Sequence, residues 1–222
     1  MYNYTIPYRE KHSSVNRKET IQVTGSYTVR IEPDTAIAYI GVVTSDQELT
    51  VAQHDNSVIA QKILHSLYSN GIKEKNIQTS TYQIYPQYDY VEGKQLFKGY
   101  EVRQVFQVQM NDLSQVGRVI DDSVKSGANV VERIEFSLTD SRAPYLKALA
   151  KAYESAFEKA KILATTSGGT LDPSPLNIIE IQEFRSRIPS GKVLAYSTEA
   201  SSPIASGQIG VTANIQVEYL KT

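Results

Sequence analysis

From Ile21 to Ile31 the apolar residues Ile21, Val23, Tyr27, Val29 and Ile31 occupy odd positions, with Gln22, Thr24, Ser26, Thr28 and Arg30 between them. Alternation of period two predicts a strand with one buried face. EPDT at 32–35 has turn chemistry, since proline presets φ and aspartate bonds nearby backbone. Residues 36–44 are apolar on both faces and read as a second, more central strand. The pair suggests a hairpin. The period then changes: Ala52, Ile59, Ile63 and Leu67, with Val51 and Val58 alongside, recur at helical spacing over 49–69, and Asn70-Gly71-Ile72 supplies a stop.

A strand over about 76–90 follows, then a turn at 91–95, then a half-buried strand in which Tyr100, Val102, Phe106, Val108 and Met110 alternate with polar residues. A short helix has Leu113, Val116, Val119, Ile120 and Val124 on one face and ends at Gly127. The next strand turns Val130, Ile134, Phe136 and Leu138 inward. A long helix follows, capped by Asp140 or Ser141 and closed by Ser167-Gly168-Gly169. Its stripe is Leu146, Leu149, Ala150, Tyr153, Ala156, Phe157, Ala160, Leu163 and Ala164, and its rise of about 1.5 Å per residue gives a length of roughly 35–40 Å. PLNIIEIQEF and IGVTANIQVEYL read as the last two strands, and the serine-, proline- and glycine-rich 185–207 between them reads as a mobile or partner-ordered arm. The expected fold class is α+β: a largely antiparallel sheet with long strands, two or three amphipathic helices packed on it, and a loose internal doubling. Residues 1–19 read as a flexible tail.

Composition changes this picture little. The 222 residues carry a net charge of −1, which gives no bulk attraction to nucleic acid or an anionic membrane. There is no cysteine, so disulfides, thiolate metal sites and cysteine nucleophiles are excluded. Nowhere do 18 consecutive apolar residues occur, so no transmembrane segment is expected. The polar start of the chain has no signal-peptide core, and a cytoplasmic location is the expectation.

Candidate chemistry is sparse. His12 lies in the tail. His54 and His65 stand about 16 Å apart along one helix, too far to share a metal. Asp121 and Asp122 are adjacent on a helix and diverge, so they read as solvated charges rather than an acid–base pair. Glu132 falls on the apolar side of its strand, as a strand-end or partner contact would. The glycines at 168–169 close a helix, whereas a phosphate nest opens one. No catalytic residue, metal site or cofactor is therefore assigned, and the chain reads as a non-enzyme.

The feature that remains is tyrosine. QIYPQYDY at 83–90, with Tyr82 before it and Tyr100 after, places Tyr82, Tyr85, Tyr88, Tyr90 and Tyr100 within nineteen positions. Aromatics that bind single strands need a basic groove. Here Lys94, Lys98 and Arg103 are balanced by Asp89, Glu92 and Glu101, so nucleic acid is not expected as a partner. Tyrosine suits a half-covered sheet or a subunit interface. The five tyrosines are thus the candidate interface of a homo-oligomer. A groove for a small molecule or peptide along hairpin 82–100, its ligand unknown, is the alternative.

VTGSYTVRIEPDTAIAYIGV, TSTYQIYPQYDY, GYEVRQVFQVQMNDLSQVGRVIDDSVKSGA, IEFSLTD, ALAKAYESAFEKAKILA and PIASGQIGVTANIQVEYL, in that order and spacing, resemble the SIMPL-domain proteins, the YggE-like group. The resemblance runs from about residue 20 to the end, so that 20–222 reads as one SIMPL-like domain of two intimately joined halves. It implies an α+β fold with long strands and packing helices. It also implies homo-oligomers, ring- or channel-like in some relatives, and an association of some with oxidative-stress tolerance. It supplies no catalytic residues. Many bacterial relatives are exported, which makes the cell envelope the alternative location.

Overall fold

A computed structural model describes residues 19–181 and 202–222. The expected tail and most of the 185–207 arm lie outside the described residues. Two sheets form. One has strand order β1-β7-β6, from β1 (Thr20–Ile31), β6 (Leu171–Ile181) and β7 (Ile209–Lys221). The other has order β3-β4-β2-β5, from β2 (Thr35–Asp46), β3 (Ile77–Val91), β4 (Lys94–Met110) and β5 (Val130–Ser137). The helices are α1 (Leu49–Ser69), α2 (Val116–Lys125) and α3 (Arg142–Thr166). The β6–β7, β2–β4, β2–β5 and β3–β4 pairs are all antiparallel, so the class is α+β with antiparallel sheets. The described residues divide into two compact units, one of 19–28, 146–181 and 212–222, the other of 29–145 and 202–211.

The expected β1–β2 hairpin does not form, because the two strands enter different sheets. The turn between them is fastened elsewhere. Asp34 Oδ1 accepts hydrogen bonds from the Thr139 backbone N–H at 2.7 Å and from Thr35 Oγ1 at 2.9 Å, and the Asp34 N–H donates to the Ser137 carbonyl. Local turn chemistry thus joins β2 to the end of β5.

In the second unit, β2 lies between β4 and β5 and is buried along most of its length. Ala38, Ile40 and Val42 meet Phe106 and Val108 of β4 beneath Ile63 and Leu67 of α1 and Val116 and Val119 of α2. The α1 stripe differs from expectation: Val51 and Val58 are exposed, while Asn56 is fully buried. Its Nδ2 donates to the Val102 carbonyl at 2.9 Å and more weakly to that of Val42 at 3.4 Å. A polar residue at a core position escapes an apolar count; its Nδ2 is paired, while its buried Oδ1 has no hydrogen-bond partner among the described residues. On α2, Val124 is exposed, and Ser123 is buried with its hydroxyl donating to the Val119 carbonyl. Glu132 is explained by an irregularity in the β2–β5 register between Ala38 and Ile40, which turns its carboxylate to Arg103 at 2.8 Å. Asp121 is not simply solvated: it accepts from the Ser202 hydroxyl at 2.7 Å and the Ser202 N–H at 3.0 Å, and Ile204 packs on the core.

In the first unit, the buried stripe of α3 is Ala148, Ala152, Ala156, Ala160 and Ala164, whereas the expected Leu146 and Leu163 are exposed. Small residues win because this helix approaches backbone. A Cβ on Gly25 of β1 would lie 1.9 Å from the Ala152 carbonyl oxygen. Tyr219 of β7 is buried edge-on against Phe157, centroids 5.9 Å apart.

Two outcomes are expected. Gly25→Val forces α3 off β1, costing roughly 2–3 kcal/mol as overpacking does and lowering the melting temperature by roughly 5–10 °C, read by calorimetry. The Ser202 bonds hold the Asp121 carboxyl below its ordinary value. A depressed folded pKa gives stabilisation that is complete above about pH 4 and lost as pH falls through the folded value. Ser202 therefore loosens on acidification below about pH 4, and in Asp121→Asn it is loose already at neutral pH, read by amide hydrogen exchange at Ser202.

Candidate functional site: an aromatic ribbon at the end of a sheet

The tyrosines sit on the β3–β4 hairpin, whose register runs from Val91↔Lys94 back to Ile77↔Val108. The turn is only Glu92-Gly93, with φ of 50° and 77°. Positive φ at both positions matches a type I′ turn, whose twist suits a hairpin. The expected 91–95 turn is thus shorter, and β4 starts at Lys94 rather than near Tyr100.

β2 accompanies β4 only as far as Asp46↔Tyr100. From Gly99 to Lys94, β4 has β3 as its one neighbouring strand among the described residues, so the hairpin continues as a two-stranded ribbon. Gly99 marks the departure. Its φ is +147°, and a Cβ there would lie 2.5 Å from the Asp46 carbonyl oxygen.

Alternation along β3 puts Tyr82, Ile84, Pro86, Tyr88 and Tyr90 on one face and Tyr85 on the other. Pro86 stands opposite Tyr100 and Tyr88 opposite Phe97, with a register shift between Gln87 and Tyr88 that leaves Lys98 over on β4. Four of the five candidate tyrosines therefore share a face, and Tyr85 does not join them. Phe97 links two of the four: its ring lies 5.7 Å from Tyr88 and 5.2 Å from Tyr100, both edge-on. At the base, Tyr82 Oη accepts from Gln53 Nε2 of α1 at 3.3 Å.

Phe97, with Leu96 and Val91, is what sequence reasoning missed. The signal was present in Glu92-Gly93, since a two-residue turn makes Val91 and Lys94 face each other and extends β4 through LFKGY.

The ribbon is largely open. Tyr90 is 73% exposed, Val91, Leu96 and Phe97 are about half exposed, and Tyr85 and Tyr88 are each 44% exposed. Its charges pair locally: Lys98 lies 3.5 Å from Asp89, an exposed pair of little energetic weight, and Arg103 is taken by Glu132. Such a surface offers apolar area and tyrosine hydroxyls, without a charge bias. His54 and His65 are exposed on α1. Among the described residues no group of three or more His, Asp or Glu is placed to hold a metal, and no helix is long and apolar enough to cross a membrane.

Glu92 adopts a left-handed conformation that asparagine tolerates better. Glu92→Asn is expected to stiffen the ribbon by about 0.5–1 kcal/mol, slowing amide exchange between residues 88 and 97 several-fold.

The family described as SIMPL, protein of unknown function (DUF541), matches residues 21–219. The 26 kDa periplasmic immunogenic protein of Brucella melitensis is 26% identical across 97% of this chain and 90% of its own length. The uncharacterized protein YggE of Escherichia coli K12 is 26% identical across 69% of this chain and 62% of its own. Neither name is that of an enzyme. With the match spanning nearly all of both sheets and the helices, the chain belongs to the SIMPL family.

Proposed function

We propose that this SIMPL protein is a non-catalytic homo-oligomer whose copies meet through the aromatic ribbon of β3 and β4. The supporting observation is the ribbon itself. It leaves the sheet where β2 ends, yet carries Tyr88, Tyr90, Val91, Leu96 and Phe97 largely exposed. An isolated two-stranded ribbon is marginally stable in water, and contiguous exposed apolar surface marks an interaction site. Covering it adds hydrophobic free energy and the third layer that the ribbon lacks.

The role of the assembly belongs to the same proposal: structural, or in tolerance of oxidative stress. The cell envelope is the favoured location, since the Brucella relative is named periplasmic. The expected cytoplasmic location has no support from the relatives.

The test is solution mass. Light scattering of the unaltered chain should give a multiple of 24.7 kDa. Replacing Tyr88 and Phe97 together by serine should return it to one chain without loss of its circular dichroism. A monomer at high concentration, or an unchanged mass in the variant, overturns the reading.

A further inference from the structure

We propose that two copies join by pairing β3 with β3, antiparallel and edge to edge, about a two-fold axis at Tyr85. This rests on the assembly reading and specifies its geometry.

β3 is the outer strand of its sheet, so among the described residues one row of its backbone N–H and C=O groups has no strand beside it. The turn identifies that row. In a hairpin closed by a two-residue turn, the flanking residues exchange both backbone hydrogen bonds, and bonded and non-bonded pairs then alternate. Val91 and Lys94 are the flanking pair. Residues 91, 89, 87, 85 and 83 therefore spend their backbone groups on β4. The additional residue near Gln87 lies on β4, so the parity of β3 is undisturbed. Tyr82, Ile84, Pro86, Tyr88 and Tyr90 direct theirs outward.

The strand is also close to a palindrome. Residues 82–88 read Tyr-Gln-Ile-Tyr-Pro-Gln-Tyr, which differs from its reverse only in exchanging Ile84 and Pro86. A two-fold interface must be self-complementary, residue i meeting j and j meeting i. Centring the axis on Tyr85 puts Tyr82 against the partner's Tyr88, Gln83 against the partner's Gln87 and Ile84 against the partner's Pro86. It also puts even residues, with their outward backbone groups, opposite even residues. Tyr82 and the partner's Tyr88 can then exchange both bonds, and the Ile84 N–H can donate to the carbonyl of the partner's Pro86. The return bond is missing because proline has no N–H. Charge is permissive: β3 carries one charged residue, Asp89, which falls opposite the partner's Thr81, so no like charges meet. Edge strands are commonly guarded by lysine or proline; β3 has no lysine, and its one proline, Pro86, takes a single donor from the row. The two four-stranded sheets would become one of eight.

The absence of cysteine makes the test clean. In Tyr85→Cys the two introduced thiols would face each other as a non-bonded antiparallel pair, about 4.5 Å between Cα atoms, within disulfide reach. Mild oxidation should give a covalent dimer at least about tenfold faster than in Gln83→Cys, whose thiols stand well beyond the roughly 7 Å limit. A mixture of Gln83→Cys and Gln87→Cys should cross-link although neither does alone. Ile84→Pro removes an outward N–H and leaves the β4 ladder whole, so it should melt near the parent yet lose the dimer. If the parent chain assembles but Tyr85→Cys cross-links no faster than Gln83→Cys, the register is wrong and the assembly reading survives. If the parent chain is monomeric, both fall together.

Discussion

β2 stops at Asp46 while β4 runs on to Lys94, and this mismatch in strand length governs the site. Inside the limit set by Asp46↔Tyr100, β4 is a core strand: Val102, Val105 and Val108 are inaccessible to water. Outside it, the same strand has lost a neighbour, and Leu96 and Phe97 stand half in solvent. What changes at that boundary is the strand beside it.

The mismatch is held in place by a small set of contacts. Asn56 reaches from α1 to the Val102 carbonyl, and the Thr44 hydroxyl donates to the Ala52 carbonyl, so helix and sheet are pinned near the end of β2. Asp46 accepts from the Glu48 N–H and turns the chain into α1. The segment that could have accompanied the ribbon is thus committed to a helix instead. The rigid part of the unit ends in a defined place, and the aromatic surface begins there.

Much of this was legible in the sequence, and the failures share a cause. Period-two alternation located β1, β4 and β7, and helical spacing located α1, α2 and α3, because these signals depend on which face is buried. They do not report what a strand pairs with. EPDT resembled a hairpin turn because its chemistry is local, whereas the fate of β2 was decided by Thr139, more than a hundred residues away. On α3, counting hydrophobicity chose Ala156, Ala160 and Ala164 correctly, but it added the exposed Leu146 and Leu163 and passed over Ala148 and Ala152, because a helix lying against glycine needs small side chains. The tyrosines stood out by density. Phe97, which ties Tyr88 to Tyr100, did not, since it lay between the expected 91–95 turn and Tyr100, where the next strand's alternation was first counted.

Pro86 carries a consequence beyond its place in the hairpin. A long outer strand rich in tyrosine, with a single charged side chain, has the composition of a segment that stacks without limit into cross-β fibrils. Such growth needs a donor and an acceptor at every rung on both sides of the strand. Proline at the middle of the exposed row removes one donor, so each added layer would inherit the same gap. The residue thereby sets a ceiling on accretion while leaving the flanking tyrosines free to be used.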